Sequence, residues 1–531
     1  MEETEAKSRI PYDPEAQTLD LRRRKVTDSK DNSRVYMPRP ISLQQETFIG
    51  VREATCEAIF ENYVKEHCND KGAQPSNLSK QEMAGIAKLR KRVDSGSVVV
   101  METDKCGRFA VATMEAYLEM GLVHTSKDRE IDQEEVDEKE KLLNGHVSML
   151  LKLTNMGEKW EHEKRFRESN IKHSGYVAVM SLLYKSHKKE EKQTRPVVAA
   201  NEGIGASISN LLSEILEPLA DSLEDKIEVI STEDYLARVD QCNERLSREW
   251  TEEDEVVCIG ADIQKMFPSL SARNSSRIVR KVFIDSKLEL EGVDYKSAAM
   301  YVRYGMEDHE IRALGLTRVV PRRRYTRGRA PGICSKQAMS GDADSDGDKW
   351  IFPDIELTDH EKRVLIGACL EIGVRTSFEN SVYQFAGRYY LQSSGGGTGA
   401  RVTMCSARII MADWGQKMTE ILKRNNIKTW LKSAYVDDVR FVINLLRMNQ
   451  RWDDTSKSFI ETQTKIDEIG PIRHSANEMK LAIESINPDL KFVMELEEDF
   501  KEDHKLPTLD TSWYFLRPEN EAPSLEFLAM R

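Results

Sequence analysis

The sequence predicts an α+β fold in which antiparallel β-hairpins are combined with packed helices. Residues 439–443 alternate apolar and polar side chains after a polar turn at 435–438, and residues 431–434 can form the preceding strand. Residues 176–200 hold two apolar runs around a highly charged loop, which predicts a second hairpin. Residues 207–220 space their isoleucines and leucines as an amphipathic helix does.

Composition narrows the class of protein. The 531 residues allow two to four folding units, and 39% hydrophobic with 32% charged residues fits a soluble, core-forming chain. No apolar run reaches membrane-spanning length and the N-terminus is acidic, so neither a membrane partner nor a signal peptide is expected. Eight scattered cysteines favour reduced thiols and an intracellular location. The net charge of −12 argues against a simple nucleic-acid coat but allows a local basic channel.

Two adjacent carboxylates, Asp437 and Asp438, lie at the tip of the first hairpin. Neighbouring anions repel each other, so a fold keeps them mainly to bind a cation. Hard divalent ions such as Mg²⁺ prefer carboxylate oxygens. For an isolated pair of aspartates a polar turn is the commoner explanation, so the interpretation depends on the rest of the chain.

The N-terminal part begins with a predicted flexible tail, residues 1–40, which lacks apolar periodicity. Its basic cluster at 22–25 fits a solvated charge run better than a nuclear address or a phosphate contact. Residues 43–92 have helical character, and residues 98–101 read as a strand. The polar residues 103–105 follow that strand, and such a position is either a turn or a functional site.

The charged loop of the second hairpin is a candidate phosphate site. We expect Lys185, Lys188 and Arg195 to project from its ends. Cations held on a stiff hairpin can bind a triphosphate, with arginine in bidentate fashion. An exposed hairpin with solubilising charges explains the same residues equally well.

A buried-type strand at residues 256–261 is followed by Asp262, and Pro268 ends the extended run. A carboxylate at the end of a core strand is costly unless it is solvated or bound to a metal. The alternative is that Asp262 caps a helix that starts after Pro268.

Residues 271–384 are poorly patterned and are predicted to be a long insertion. A tyrosine stands among five arginines here, an arrangement that suits phosphate contact and base stacking, and an exposed basic loop is the alternative. The candidate nucleic-acid contacts are Arg322, Arg323, Arg324 and Arg327. Residues 341–348 resemble half of a calcium loop, but the twelfth position is Pro353 where glutamate is needed, so an EF-hand is excluded.

A glycine-rich stretch begins at Gln392 and includes Gly395 and Gly396. Glycines allow a ligand to approach the backbone, and a turn that opens a helix can present N–H groups to phosphate. The stretch lacks the P-loop pattern. A flexible connector is the alternative.

Five motifs in order resemble the reverse transcriptases of Penelope-like retroelements and the related cellular genes. YVDD alone is weakly specific, whereas the ordered set, which spans residues 98–510, is strongly specific. The motifs are TDK at 103–105, KSHK with RPVVAA at 185–188 and 195–200, ADIQKMFPSL at 261–270, YVDD at 435–438, and LKFVMELEED with KLPTLD at 490–510.

The resemblance implies a right-hand polymerase fold whose palm is an antiparallel sheet backed by helices. The implied boundaries are a helical extension at 41–95, fingers at 96–255, a palm at 256–515 that includes the insertion at 271–384, and a truncated thumb or tail at 516–531.

The resemblance also implies roles in catalysis. Asp262 and Asp437 would hold two Mg²⁺ ions, for which Mn²⁺ can substitute, and Asp438 would support the site. Two ions so placed stabilise the attacking and leaving oxygens of an in-line phosphoryl transfer.

Further implied roles concern the nucleotide. Arg195, with Lys185 or Lys188, would neutralise the triphosphate. Gln392, Gly395 and Gly396 would contact the nucleotide and template. Phe267 would stack under the sugar, where a ring clashes with a ribose 2′-hydroxyl, so deoxynucleotides are expected.

The implied partners are an RNA template, a DNA or RNA primer and dNTPs, and a nuclear location is expected. No GIY-YIG endonuclease pattern is found, and the glycine motif departs from many Penelope-like enzymes. The chain therefore lacks a nuclease, is truncated, or uses a partner nuclease or accessory protein. Three other functions stay open: an RNA polymerase, a template-independent terminal transferase, and a non-catalytic nucleic-acid-binding scaffold.

Overall fold

The computed structural model divides the chain into two compact units, Met1–Ser97 and Val98–Arg531. It describes residues 79–104, 108–153, 176–185, 193–200, 203–223, 227–290, 292–323, 350–351, 356–397, 399–462, 469–499, 506–508, 511–516 and 522–529. In the first unit these residues form one helix, α1 (Lys80–Asp94), which begins with a capping box between Ser79 and Glu82. The predicted helical character of residues 43–92 is thus confirmed from residue 80 onward, and the earlier residues lie outside the described part.

Eleven helices occur among the described residues of the second unit. They are α2 (Met114–Thr125), α3 (Gln133–Leu153), α4 (Ala206–Ser222), α5 (Thr232–Glu249), α6 (Met266–Ser269), α7 (Ala272–Asp285), α8 (Tyr295–Gly305), α9 (Asp308–Ala313), α10 (Asp359–Glu379), α11 (Arg401–Arg424) and α12 (Pro471–Glu484). Short 3₁₀ helices lie at Leu316–Arg318 and Glu497–Asp499.

The strands of this unit form several antiparallel groups. They are β1 (Val98–Glu102), β2 (Phe109–Thr113), β3 (Arg129–Ile131), β4 (Ala178–Tyr184), β5 (Thr194–Val198), β6 (Val256–Ile263), β7 (Arg322–Arg323), β8 (Trp350–Ile351), β9 (Val382–Phe385), β10 (Arg388–Leu391), β11 (Thr429–Tyr435), β12 (Asp438–Asn444), β13 (Gln450–Asp453), β14 (Ser458–Glu461), β15 (Phe492–Glu495), β16 (Leu506–Thr508), β17 (Thr511–Leu516) and β18 (Ser524–Ala529).

The central sheet has four antiparallel strands in the order β11-β12-β6-β15. One face is mostly apolar, because alternate residues of its strands, such as Ile259 and Phe441, point into the main core. Helix α11 covers this face: Trp414 stacks on Phe492 at 5.3 Å and donates a hydrogen bond to the Ile483 carbonyl. The antiparallel sheet backed by helices confirms the predicted α+β class, and it is the arrangement expected of a right-hand polymerase palm.

A second sheet has the order β3-β10-β9-β4-β5 and contains the predicted hairpin of β4 and β5. Strand β4 also pairs in parallel with β9. The β1–β2 hairpin adjoins this sheet through a bridge between Thr103 and Tyr184. The described parts of the motifs assigned to the fingers therefore lie on or next to one connected group of strands.

Residues 271–384 are richer in structure than their pattern predicts. Their described part contains helices α7, α8, α9 and α10, and α10 has buried residues all round its surface. Helix α10 packs on α7, where Val279 and Phe283 enter the core. Whether this region is an insertion stays a prediction, as do the other domain boundaries.

The last described residues do not form an isolated tail. Strand β18 pairs with β17, and Trp513 and Leu525 pack against α5, where Tyr235 meets the Trp513 ring edge-on at 5.0 Å. None of the helices in the described ranges is both long and apolar enough to cross a membrane.

Candidate active site

The YVDD hairpin forms as the sequence predicts. Strands β11 and β12 are joined by Val436 and Asp437, and Tyr435 lies opposite Asp438. Val436 has a φ of 57°, a left-handed conformation that is unusual for a β-branched residue. Strain of this kind is kept only where the surrounding structure fixes the backbone, and it clusters at functional sites.

Strand pairing brings two of the predicted catalytic carboxylates together. Asp438 lies directly opposite Asp262 in the β12–β6 pair, and the Ile263 N–H donates to the Asp437 carbonyl at 2.9 Å. Directly opposed residues of antiparallel strands have Cβ atoms about 4.5–5.5 Å apart and point to the same face. The register therefore places Asp262 and Asp438 side by side on the face opposite the main core.

The capping alternative for Asp262 is wrong. Asp262 is a strand residue, paired with Asp438 on one side and with Val493 on the other. The helix after Pro268 is capped by Ser271, whose side chain accepts from the Asn274 N–H.

Arg440 lies on the same face as the two aspartates, as the alternation predicts, but it is buried with only 3% of its side chain exposed. Its Nη1 lies 2.6 Å from Oδ1 of Asp438, and its Nη2 lies 3.2 Å from Oε2 of Glu495. The guanidinium crosses β6 above Gly260, where a Cβ atom would come within 2.5 Å of Nη1. Sequence reasoning missed Arg440 and Glu495, since only the strand register shows that they meet.

Electrostatics at the hairpin are dominated by excess negative charge. Burial is the largest cause that raises the pKa of the Asp438 carboxyl, to about 7. The Arg440 guanidinium opposes this rise. The acidic groups that add to it are Glu495, Asp262 and Asp437. Four carboxylates thus share one neighbourhood with one guanidinium, an arrangement that a divalent cation would stabilise.

These residues fit Mg²⁺ by donor type. Carboxylate oxygens are the ligands that this ion prefers, and the neighbouring carboxylates of Asp262, Asp437 and Asp438 supply them. Within the described ranges, no three acidic, histidine or cysteine side chains converge into a ready-made metal centre. Asp262 and Asp438 form the opposed pair, and the exposed Asp437 lies in the adjoining turn.

The TDK and RPVVAA motifs meet in the structure. Arg195 Nε lies 3.4 Å from Oδ2 of Asp104, whose side chain is only 6% exposed. The Asp104 N–H donates to the Tyr184 carbonyl at 2.8 Å, which fixes the loop against β4. Asp104 therefore positions Arg195, whose half-exposed side chain is available to an anion.

A further cation, Lys265, was missed by sequence reasoning. Burial lowers the pKa of His124, and the charges of Lys265 and Lys185 lower it further. Both ammonium groups are therefore close enough to His124 to affect its pKa, although Lys185 belongs to the β4–β5 hairpin and Lys265 follows β6. His124 itself shares a 2.9 Å hydrogen bond with Thr194 on β5. The only sequence signal for Lys265 was its position three residues after Asp262.

The glycine-rich loop is packed within the protein. A Cβ atom on Gly395, which has a φ of 75°, would overlap the Phe267 carbonyl, and one on Gly396 would overlap the Thr403 hydroxyl. The Gln392 side chain accepts from the Ser381 hydroxyl and donates to the Ser394 carbonyl. The loop thus joins the segment after Asp262 to the start of α11, and its contact with a nucleotide stays a prediction.

Of the remaining predicted site residues, some lie in the described part of the chain and others lie outside it. Phe267 lies in α6, half-buried, and its carbonyl accepts from the Gly396 N–H at 3.3 Å. Arg322 and Arg323 form β7, which pairs with β8. Lys188, Arg324, Arg327 and the acidic loop at 341–348 lie outside the described residues.

No family model matches the sequence, and no curated protein matches it. Among solved structures, similarity is found to telomerase from Candida albicans in complex with a TWJ fragment of telomeric RNA, with a TM-score of 0.43 and 11% identity. Apo telomerase from Candida tropicalis gives 0.42 and 9%, and the RNA-dependent RNA polymerase of BmCPV at its elongation state gives 0.31 and 10%.

These similarities cover 86%, 90% and 89% of this chain and 60%, 66% and 36% of the respective matched chains. The chain thus spans less than two thirds of the length of these proteins. Because the TM-scores are below 0.5, the assignment of a palm rests on strand order and register rather than on these likenesses.

Replacement of Gly395 by alanine tests the packed loop. We expect Gly395→Ala to lower the melting temperature by several degrees, since a Cβ would be strained at this φ and would overlap the Phe267 carbonyl. Gly470→Ala is the control, because a Cβ there meets nothing within 4 Å. Equal melting temperatures for the two variants would contradict the packing role.

The raised pKa of Asp438 predicts a pH-dependent stability. Its protonation contributes stability that is fully present below about pH 4, the unfolded pKa, and is lost as the pH rises through about 7. Asp438→Asn mimics the protonated form. Without divalent ions, we expect the variant to melt above the wild type at pH 8 and at the same temperature near pH 4, as measured by thermal denaturation. A difference that does not change with pH would contradict the shift.

Proposed function

We propose that this chain is an RNA-directed DNA polymerase that extends a primer 3′-hydroxyl with deoxynucleotides by two-metal phosphoryl transfer. The observation that supports it most is the register of β6 and β12, which opposes Asp262 and Asp438 beside Asp437 in the turn. The nature of the template and sugar comes from the resemblance of the sequence motifs.

The acidic residues supply the metal-binding part of the site. Asp262 and Asp437 would hold two Mg²⁺ ions, which stabilise the attacking and leaving oxygens of an in-line displacement. Asp438 supports the site from the adjoining strand position. Because the turn of the hairpin is strained at Val436, the backbone at Asp437 is fixed before substrate binds.

The basic residues supply a site for the triphosphate. Arg195 lies on β5, oriented by Asp104, and a guanidinium can bind phosphate oxygens in bidentate fashion. Lys185 and Lys265 add positive potential close to His124. Charge of this kind neutralises phosphate as it is transferred and as pyrophosphate leaves.

The proposal includes further substrates and partners. Phe267 selects deoxynucleotides by excluding a 2′-hydroxyl, and an RNA template with a DNA or RNA primer lies across the palm. A retroelement or a related cellular gene of the Penelope-like type, acting in the nucleus with or without a partner nuclease, is the context that the motifs favour.

Two alternatives share parts of this evidence. A terminal transferase or an RNA polymerase would use the same aspartates and differ in template or sugar. A scaffold would bind nucleic acid without catalysis. The clustered carboxylates, with Asp438 desolvated among them, favour catalysis over a scaffold, since such charges destabilise a fold that binds no cation.

Primer extension on an RNA template tests the proposed activity. We expect the wild type to incorporate dNTPs with Mg²⁺ or Mn²⁺, and Asp437→Asn to lower the rate by about 10²-fold or more, because a ligand of the metal is lost. Asp454→Asn, at the exposed turn between β13 and β14, is the matched control and keeps full activity. Extension that ignores the template, or that Asp437→Asn leaves unchanged, would contradict the proposal.

Substitution of Phe267 tests sugar selection. We expect Phe267→Val to reduce the preference for dNTPs over NTPs by about tenfold or more, since the smaller side chain leaves room for a 2′-hydroxyl. The measurement is the ratio of kcat/KM for dCTP and CTP on one template. An unchanged ratio, with overall activity preserved, would show that another residue excludes the ribose.

A further inference from the structure

Arg440 is a buried arginine beside the proposed metal site. Its positive charge would repel a metal cation there, so its presence needs an explanation. The Arg440 side chain is 3% exposed. It lies two residues after Asp438 on β12, directly opposite Gly260 of β6, and Gly260 in turn lies opposite Glu495 of β15. Its guanidinium contacts Asp438 through Nη1 and Glu495 through Nη2. It therefore spans three strands, from β12 across β6 to β15.

Glycine at position 260 is required for this crossing. A Cβ atom there would come within 2.5 Å of Nη1 and 3.0 Å of Cζ of Arg440, and 3.1 Å from the Glu495 Cβ. Contacts below 3.0 Å force a shift of one partner. Any other residue at position 260 would thus displace the guanidinium from the space that it fills, although it would remove no charged group.

The guanidinium also determines which part of Asp438 is accessible. Oδ1 of Asp438 is buried beside Nη1, whereas 24% of the side chain is exposed. The accessible part of the carboxylate therefore lies away from Oδ1. Arg440 thus holds Oδ1, and Oδ2 is the oxygen that a cation would reach.

We propose that Arg440 is a positioning residue of the polymerase site, which fixes Asp438 through one oxygen and depends on Gly260 and Glu495 for its own position. This inference rests on the proposed function. It separates two effects of the same side chain. The positive charge weakens cation binding at the carboxylates, and the bridging geometry keeps Asp438 oriented for turnover.

The two effects predict opposite changes on removal of the side chain. In Arg440→Leu the full-length protein should bind Mn²⁺ about tenfold more tightly, because a neighbouring positive charge is lost. At the same time kcat for primer extension should fall about 10²-fold, since the carboxylate is no longer oriented. KM for the nucleotide should stay within about twofold, because Arg440 pairs with Asp438 and Glu495 rather than with the proposed nucleotide contacts.

Two conservative variants separate charge from geometry. Arg440→Lys keeps the charge but cannot bridge both acids, so Mn²⁺ affinity should stay within about twofold of the wild type while kcat falls about tenfold. Gly260→Ala keeps all the charged groups and displaces the guanidinium, so kcat should fall as in Arg440→Lys. Val442→Ala is the control for lost stability, because Val442 is buried on the same strand and the same face and carries no charge.

The experiment measures Mn²⁺ binding by electron paramagnetic resonance and primer extension on the same preparations, with melting temperatures for each. Tighter Mn²⁺ binding combined with slower turnover in Arg440→Leu would support the positioning role. The positioning role would be overturned if Arg440→Leu lost Mn²⁺ binding, turnover and melting temperature together, as an unfolding variant does. Unchanged turnover in both Gly260→Ala and Arg440→Leu would overturn it as well. If the wild type bound Mn²⁺ without extending a primer, the proposed function would fail. The Mn²⁺ affinities would then still test the effect of the Arg440 charge, and an Arg440→Leu variant that bound no more tightly than the wild type would overturn it.

Discussion

The register between β6 and β12 is the constraint on which the site depends. A slip of one residue would move every side chain of a strand to the other face of the sheet. Asp262 and Asp438 would then no longer meet, and Ile259 and Phe441 would leave the core. The apolar face that packs against α11 therefore fixes the position of the carboxylates on the opposite face. Stability and the geometry of the site are set by the same pairing.

The acidic cluster is tolerated because its surroundings compensate it in part. Arg440 is held against Asp438 and Glu495 by the space above Gly260, and a single guanidinium cannot balance four carboxylates. Burial and the residual negative charge together raise the pKa of Asp438, and that charge favours a cation. Beside the second sheet, the buried Asp104 forms an ion pair with Arg195 of β5. Acidic and basic groups are thus each oriented by an opposite charge while they remain available to ligands.

Sequence reasoning found those features that depend on local patterns. Alternation and turn residues predicted both hairpins, helical spacing predicted α4, and the end of an apolar run located Asp262. Sequence reasoning failed for residues whose role depends on contacts with residues distant in the sequence. Gly395 is required by the Phe267 carbonyl, 128 positions earlier, and Gly260 by Arg440. Helix α7 was missed because arginines, serines and lysines separate its apolar residues and obscure their helical periodicity. Helix α10 was missed because it is buried on every side and has no polar face.

Anomalous scattering from crystals soaked in Mn²⁺ would test the central claim most directly. The structure predicts a peak between the carboxylates of Asp262 and the YVDD turn, within coordination distance of Asp262 and Asp437, with Oδ1 of Asp438 still paired to Arg440. Mn²⁺ bound elsewhere, with Asp262 and Asp438 joined by a shared proton instead of an ion, would contradict the assignment of this strand pair as the metal-binding centre of a polymerase.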